Sequence, residues 1–232
     1  MLSARPVGSG LNSELAVIIN DRYFVKGLRE GHPRVWTQEQ EKAVNPYVRH
    51  VSAPLEWGVV ADGWSLLGFG YMPGRQASYR PGSPDLELIT EMMSKLPAAP
   101  GNLDLKRAEQ RWSGYSEQAG LFAGDHLSHT DWSPGNVLVA DDARLVDWAW
   151  PTRGTAWIDP ACWIVWLIAC GHSPAQAESH AARVPAFAQA PGRAMTAFSA
   201  AQAAMWDEIG KEAPHPGLAA AAVGWHRYRE HD

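Results

Sequence analysis

The stretch His129-Thr130-Asp131-Trp132-Ser133-Pro134-Gly135-Asn136, followed eleven residues later by Asp147, decides how this chain is read. It has the H-x-D-x-x-x-x-N spacing of a phosphoryl-transfer catalytic loop, and a second Asp closes the next short apolar strand. The chemistry explains the residue types. One carboxylate, Asp131, must accept or orient a hydroxyl proton. The amide oxygen of Asn136 and the carboxylate of Asp147 would hold Mg²⁺ against nucleotide phosphates. These hard oxygen ligands have to converge. Two short strands over 137–139 and 144–146, turning near Asp141-Asp142, would bring Asn136 and Asp147 side by side. A plain polar loop, with an Asp capping a helix and an Asn in a turn, would use the same residues without chemistry.

Upstream, the apolar runs 15–19 and 23–25 flank Asn20-Asp21, and 57–60 and 64–69 flank Asp62-Gly63; both read as hairpins. Lys26 closes the second run. An ammonium there would reach the α/β-phosphates if a carboxylate fixed it, and otherwise is a surface lysine at a strand end. A short helix capped by Thr37, with Gln40 completing a capping box, should stop near Asn45-Pro46. It offers Glu39 and Glu41 as partners for Lys26. Glu41 is favoured, since Glu39 lies two residues away on a different helical face. Gly8-Ser9-Gly10, ahead of the first strand, is read as a loop covering phosphates with its N–H groups. The linker 66–71, with Gly68, Phe69 and Tyr71, would face an adenine edge through its backbone.

Met72-Pro73-Gly74 and the Pro-, Gly- and Ser-rich 75–84 mark a boundary. Residues 1–72 are expected to form a β-rich N-lobe with one short helix, and 73–232 a helical C-lobe holding the catalytic loop and substrate site. Its helices are expected near 85–96, 103–119, 160–170, 174–184, 194–210 and 216–229, with Ser173-Pro174 supplying a cap and a first-turn proline. The fold class is therefore α+β, a small β lobe followed by a large helical one.

Composition bounds the rest. The 232 residues are 46% hydrophobic and 19% charged, with a net charge of −5, so there is ample apolar material for a core. With no basic run, the chain is a poor candidate for nucleic acid or an anionic membrane. Cys162 and Cys170 share one apolar stretch and make neither a disulfide framework nor a metal pattern. The longest apolar run, 161–170, is about half of what spans a bilayer; a buried helix and a cytoplasmic protein are expected. Six Trp (132, 148, 150, 157, 163 and 166) crowd around the loop and are read as core before stacking platform.

In 7–26, in 66–75 with Met72-Pro73-Gly74-Arg75, in 129–147 and in Trp157-Ile158-Asp159-Pro160-Ala161, the chain resembles the aminoglycoside phosphotransferase family. That family is the small-molecule branch of the protein-kinase-like fold. The resemblance implies a two-lobe kinase-like architecture and transfer of the γ-phosphoryl group of ATP or GTP, with Mg²⁺, to a hydroxyl of a small molecule. It implies Asp131 as the catalytic base, Asn136 and Asp147 as metal ligands, and Lys26 with Glu41 as the nucleotide-anchoring ion pair. His129 is expected to hold the loop through backbone hydrogen bonds.

There are departures from the family pattern. Asp147-Trp148-Ala149 stands where protein kinases carry Asp-Phe-Gly. Cys162-Trp163 stands where the family often has an Asp bracing the catalytic loop, which leaves Asp159 as the candidate brace, besides capping the helix opened by Pro160. Only eleven residues lie between Asp147 and Asp159, with no Ala-Pro-Glu landmark. A peptide-docking segment hardly fits there, and a small hydroxylated substrate does. Residues 171–232 carry six acids against five bases, no support for a polycationic acceptor. The other reading is a silent kinase-like scaffold that binds nucleotide or a partner; the filled positions 26, 41, 131, 136 and 147 argue against it.

Overall fold

The N-terminal sheet is built by two tight turns. In the computed structural model, which describes residues 3–8, 13–212 and 216–231, Asn20 (φ 51°) and Asp21 (φ 49°) are left-handed. Short polar side chains tolerate that geometry, and it matches the twist of a hairpin. The turn joins β2 (Leu15–Ile19) to β3 (Tyr23–Arg29), and β1 (Ala4–Pro6) pairs along the outer side of β2. Asp62 (φ 51°) and Gly63 (φ 77°) close β4 (Leu55–Ala61) onto β5 (Trp64–Gly70) in the same way. The sheet runs β1-β2-β3-β5-β4, antiparallel throughout, and places Lys26 opposite Leu67 on its central pair.

Between β3 and β4 lies α1 (Trp36–Val48). It starts one residue before Thr37, whose hydroxyl donates to the Arg34 carbonyl at 2.8 Å and so does not cap. The helix also runs through Pro46 and does not stop before it. Asn45 is buried there, donating to the Ala53 carbonyl and accepting from the Leu55 N–H, both at 2.8 Å. These tertiary ties outweigh the local proline preference and fasten the helix end to β4.

Beyond Gly70 the chain forms two three-stranded sheets and a helical body. The strand β6 (Arg75–Gln76) leads to α2 (Asp85–Met93), then β7 (Lys106–Arg107), the single-turn α3 (Ala108–Arg111) and β8 (His126–Ser128). The hairpin β9 (Val137–Val139) and β10 (Ala143–Leu145) is followed by β11 (Thr152–Gly154). One sheet has the order β10-β9-β6, the other β7-β11-β8. The helix expected over 103–119 is therefore absent: β7 pairs in parallel with β11, and after α3 the chain turns through Ser113-Gly114 to a 3-10 turn over Ala119–Phe122. Helices α4 (Ile158–Ala169), α5 (Pro174–Ala181), α6 (Pro185–Ala188), α7 (Gly192–Glu212) and α8 (Pro216–Glu230) complete the body. Ser173 caps α5 by accepting the Gln176 N–H at 3.2 Å.

The main core lies in this helical body, around α4 and the edge-on rings of Trp112, Phe122, Trp157 and Phe198. Trp132, Trp148 and Trp163 belong to it and are at most 1% exposed. The sheet has only a small cluster of its own, Ala53, Leu67 and Phe69, flanked by Phe24, Met72 and Val146. Among the described residues no helix is long and apolar enough to cross a membrane.

Candidate active site

The loop between β8 and β9 is tied down from behind. Asp159, in the first turn of α4 and fully buried, accepts three hydrogen bonds: from the His129 N–H at 3.0 Å, the Thr130 N–H at 2.9 Å and the Trp132 indole at 2.9 Å. Asp159 is thus inside its helix and does not cap it, and its carboxylate is spent on the loop. The buried His129 adds a second tie. Its Nδ1 accepts the Asp131 N–H at 3.2 Å, so Nε2 carries the proton and donates to the Val146 carbonyl at 3.0 Å. Thr130 is held at φ 70°, a costly conformation for a β-branched residue that these bonds sustain.

The loop then presents its polar groups. Asp131 accepts the Ser133 N–H at 3.2 Å, and Ser133 in turn accepts the Gly135 N–H at 3.2 Å, opening a 3-10 turn over Pro134–Asn136. Asn136 donates from its amide to the Asp131 carbonyl at 3.3 Å, which leaves its Oδ1 as an acceptor for a ligand. The Asn136 carbonyl receives the Val146 N–H at 2.8 Å, so the β9–β10 hairpin delivers Asp147, at φ 65°, beside Asn136.

From the sheet comes the opposing charge. Lys26 on β3, 6% exposed, donates to Asp147 Oδ1 at 2.7 Å and forms a direct ion pair with Glu41 of α1. Glu39 points elsewhere, exposed and loosely paired with Lys42 at 3.9 Å. Burial works against the Lys26 ammonium, but Glu41 and then Asp147 outweigh it and its pKa is raised. Burial lifts the Glu41 carboxyl above the ordinary carboxylate range; Lys26 opposes this, Asp147 adds to it, and the Trp148 N–H bond to Glu41 opposes it further. Lys26 stays charged and ties two distant parts of the sequence, 26–41 and 147, into one cluster.

These groups share a cavity of about 600 Å³ between the sheet and the helical body. Gly8, Lys26, Glu41, Phe69, Asp131, Asn136 and Asp147 all line it. Ser9 and Gly10 lie outside the described residues. Gly68 and Tyr71 are not among the lining residues. Gly68 instead makes room for the Trp57 ring, which a Cβ there would overlap, and the Tyr71 N–H is spent on the Arg22 carbonyl at 2.8 Å. His129 and Asp159 sit behind the loop, out of the cavity. Oxygen donors such as Asn136 and Asp147 suit Mg²⁺, with phosphate and water completing the shell; among the described residues no group of three or more His, Cys, Asp or Glu is placed to hold a metal.

Protein-family models and curated proteins give no match to the chain. Solved structures do. A GDP complex of aminoglycoside 2′-phosphotransferase IIIa superposes with a TM-score of 0.63 at 13% identity, over 99% of this chain and 91% of that one. A gentamicin complex of another aminoglycoside phosphotransferase gives 0.56 at 13%, over 97% and 91%. The chain has the aminoglycoside phosphotransferase fold. An ethanolamine kinase of Plasmodium vivax shares it too, with a TM-score of 0.59 at 10% identity over 98% and 82%.

This phosphotransferase fold also brings Arg34, Ser52 and Gln76 to the cavity, which no local pattern flags, together with Phe24 and Trp150. Phe24 belongs to the apolar run that ends at Lys26, but Arg34 and Gln76 arrive through tertiary placement alone. Arg111 lies outside the cavity lining, beneath it. Its guanidinium, pulled below its ordinary range by burial, donates to the Thr152 hydroxyl at 3.3 Å and to the Trp150 carbonyl at 3.5 Å, under the segment that follows Asp147.

Proposed function

We propose that the chain is a small-molecule kinase, transferring the γ-phosphoryl group of ATP or GTP to a hydroxyl of a small acceptor. In this reading residues 1–72 bind the nucleotide and 73–232 carry the catalytic loop and the acceptor site. The observation that carries it is the buried cluster of Lys26, Glu41 and Asp147, assembled from two distant parts of the sequence in the same cavity as Asp131 and Asn136.

Each residue then has a role. Lys26, fixed by Glu41, would contact the α/β-phosphates. Asn136 and Asp147 would hold a divalent cation, which when bound neutralises phosphate charge. Asp131 would orient the acceptor hydroxyl and take its proton as the acceptor oxygen bonds to the γ-phosphorus and the bond to the β–γ bridging oxygen breaks, releasing the nucleoside diphosphate. His129 and Asp159 would keep that carboxylate in place, because most of the acceleration rests on positioning and charge neutralisation. Neighbours of this fold bound to GDP, to ADP and to streptomycin with ATP support the nucleotide part. Aminoglycoside phosphotransferases and an ethanolamine kinase among them support a small hydroxylated acceptor without singling one out.

The test is acceptor-dependent release of ADP or GDP across a panel of hydroxylated antibiotics, sugars, amino alcohols and nucleosides. The wild type should turn over at least one acceptor, and Asp131→Ala should not. Tight nucleotide binding with no turnover of any acceptor would favour the silent scaffold.

A further inference from the structure

We infer that Arg34 is a further catalytic residue, a cation carried on the N-lobe that contacts the transferring γ-phosphoryl group; this rests on the kinase reading above. The cavity lining has an apolar part and a charged part. Phe24, Ala53, Phe69 and Val146 belong to one apolar cluster and suit a base. Lys26 pairs with Asp147 in the same lining, which also holds Asp131 and Trp150. Arg34 lines this cavity as well. It stands two residues before Trp36, whose ring packs edge-on against Trp150 with centroids 5.0 Å apart at 86°. The Trp150 carbonyl accepts the Thr130 hydroxyl at 3.4 Å, next to Asp131. The indole contact therefore clasps the start of α1 to the catalytic loop and sets Arg34 where terminal phosphate and acceptor meet.

The backbone of Arg34 is fixed as well. Its N–H donates to His32 Nδ1 at 3.1 Å, and its carbonyl accepts the Thr37 hydroxyl at 2.8 Å and the Thr37 N–H at 2.9 Å. The side chain thus starts from a defined point on the cavity wall. Arginine suits this position, because its planar fork matches phosphate oxygens and its charge is not lost at any working pH. The charge it would meet lies on the γ-phosphoryl oxygens and is spread over all three of them in the transition state. Trp36 is then a positioning residue that acts through Arg34.

Equilibrium binding of two probes with Mg²⁺ tests this: ADP, and a non-hydrolysable ATP analogue that retains the γ-phosphate. Arg34→Gln should weaken the ATP analogue by about tenfold or more and leave ADP within about twofold, because only the former carries the group Arg34 contacts. Trp36→Ala should reproduce that selective loss and Trp36→Phe should restore it; Trp36 is 45% exposed, so neither change opens the core. Equal loss of both nucleotides, or loss of neither, in folded Arg34→Gln overturns the assignment while leaving the kinase reading intact. A wild type that binds neither nucleotide overturns the reading and the assignment together.

Discussion

Replacing Asp159 by Asn should damage the protein in a way that can be counted from the bonds it makes. Asp159 Oδ1 accepts from Thr130 N and Trp132 Nε1, and Oδ2 accepts from His129 N, all within 3.0 Å and away from solvent. Asparagine keeps one oxygen. Turned to preserve the two bonds at Oδ1, it sets an amide donor against the His129 N–H and leaves that donor buried and unpaired. Such an orphan costs about 1–3 kcal/mol. In a chain of this size that shifts Tm by about 2–12 °C, taking about 2–4 °C per kcal/mol. Asp159→Ala removes all three acceptors and should cost more, and the strained Thr130 would then relax from φ 70°. The assay is thermal and denaturant unfolding, with acceptor turnover measured well below Tm. Turnover should fall even where the variant is fully folded, since Asp131 follows Thr130 directly. An Asp159→Asn protein that melts with the parent and turns over normally would refute the brace.

Other perturbations give independent outcomes. Lys26→Met leaves the buried Glu41 without its cation, and should cost about 3–5 kcal/mol in denaturant unfolding, part of it recovered in the Lys26→Met, Glu41→Gln double variant. Asp85 is 1% exposed and is held below the ordinary carboxylate range first by its two hydrogen bonds from Arg75, at 2.5 and 2.6 Å. A depressed native pKa gives stability that is present above the unfolded value of about 4 and is lost as the pH falls through the native one. Asp85→Asn should therefore be less stable than the parent near neutrality, with the gap closing under acid in unfolding measured from pH 6 downward. Gly68→Ala forces the Trp57 ring aside and should destabilise by about 1–3 kcal/mol, read as a lower denaturation midpoint.

Much of this architecture is written locally. Asn20-Asp21 and Asp62-Gly63 mark their hairpins because few residues accept φ above zero, and Ser173-Pro174 announces α5 through its own side chain. The spacing of His129, Asp131 and Asn136 is legible because one short loop must present all three. Other features depend on distant partners. The strand at Lys106–Arg107 exists because β11 lies beside it, and no periodicity in 103–119 records that. Pro46 stays helical because Asn45 is bonded to β4 across the following loop. Asp159 reads as a helix-start residue from its proline neighbour, yet the loop thirty residues upstream claims its carboxylate. The same holds in the cavity, where Glu41 is separated from Glu39 by helical face but Arg34 and Gln76 reach the cavity only through the fold.

Phosphoryl transfer centred on Asp131 is most directly measured by following a γ-labelled nucleotide with Mg²⁺ and the acceptor panel. Label should appear on an acceptor hydroxyl with the wild type, and not with Asp131→Ala or Asp147→Ala, each shown to be folded by its unfolding transition. Label transferred equally well by Asp131→Ala, or no labelled product from any acceptor by a wild type that binds the nucleotide, would contradict a phosphotransferase built on that carboxylate.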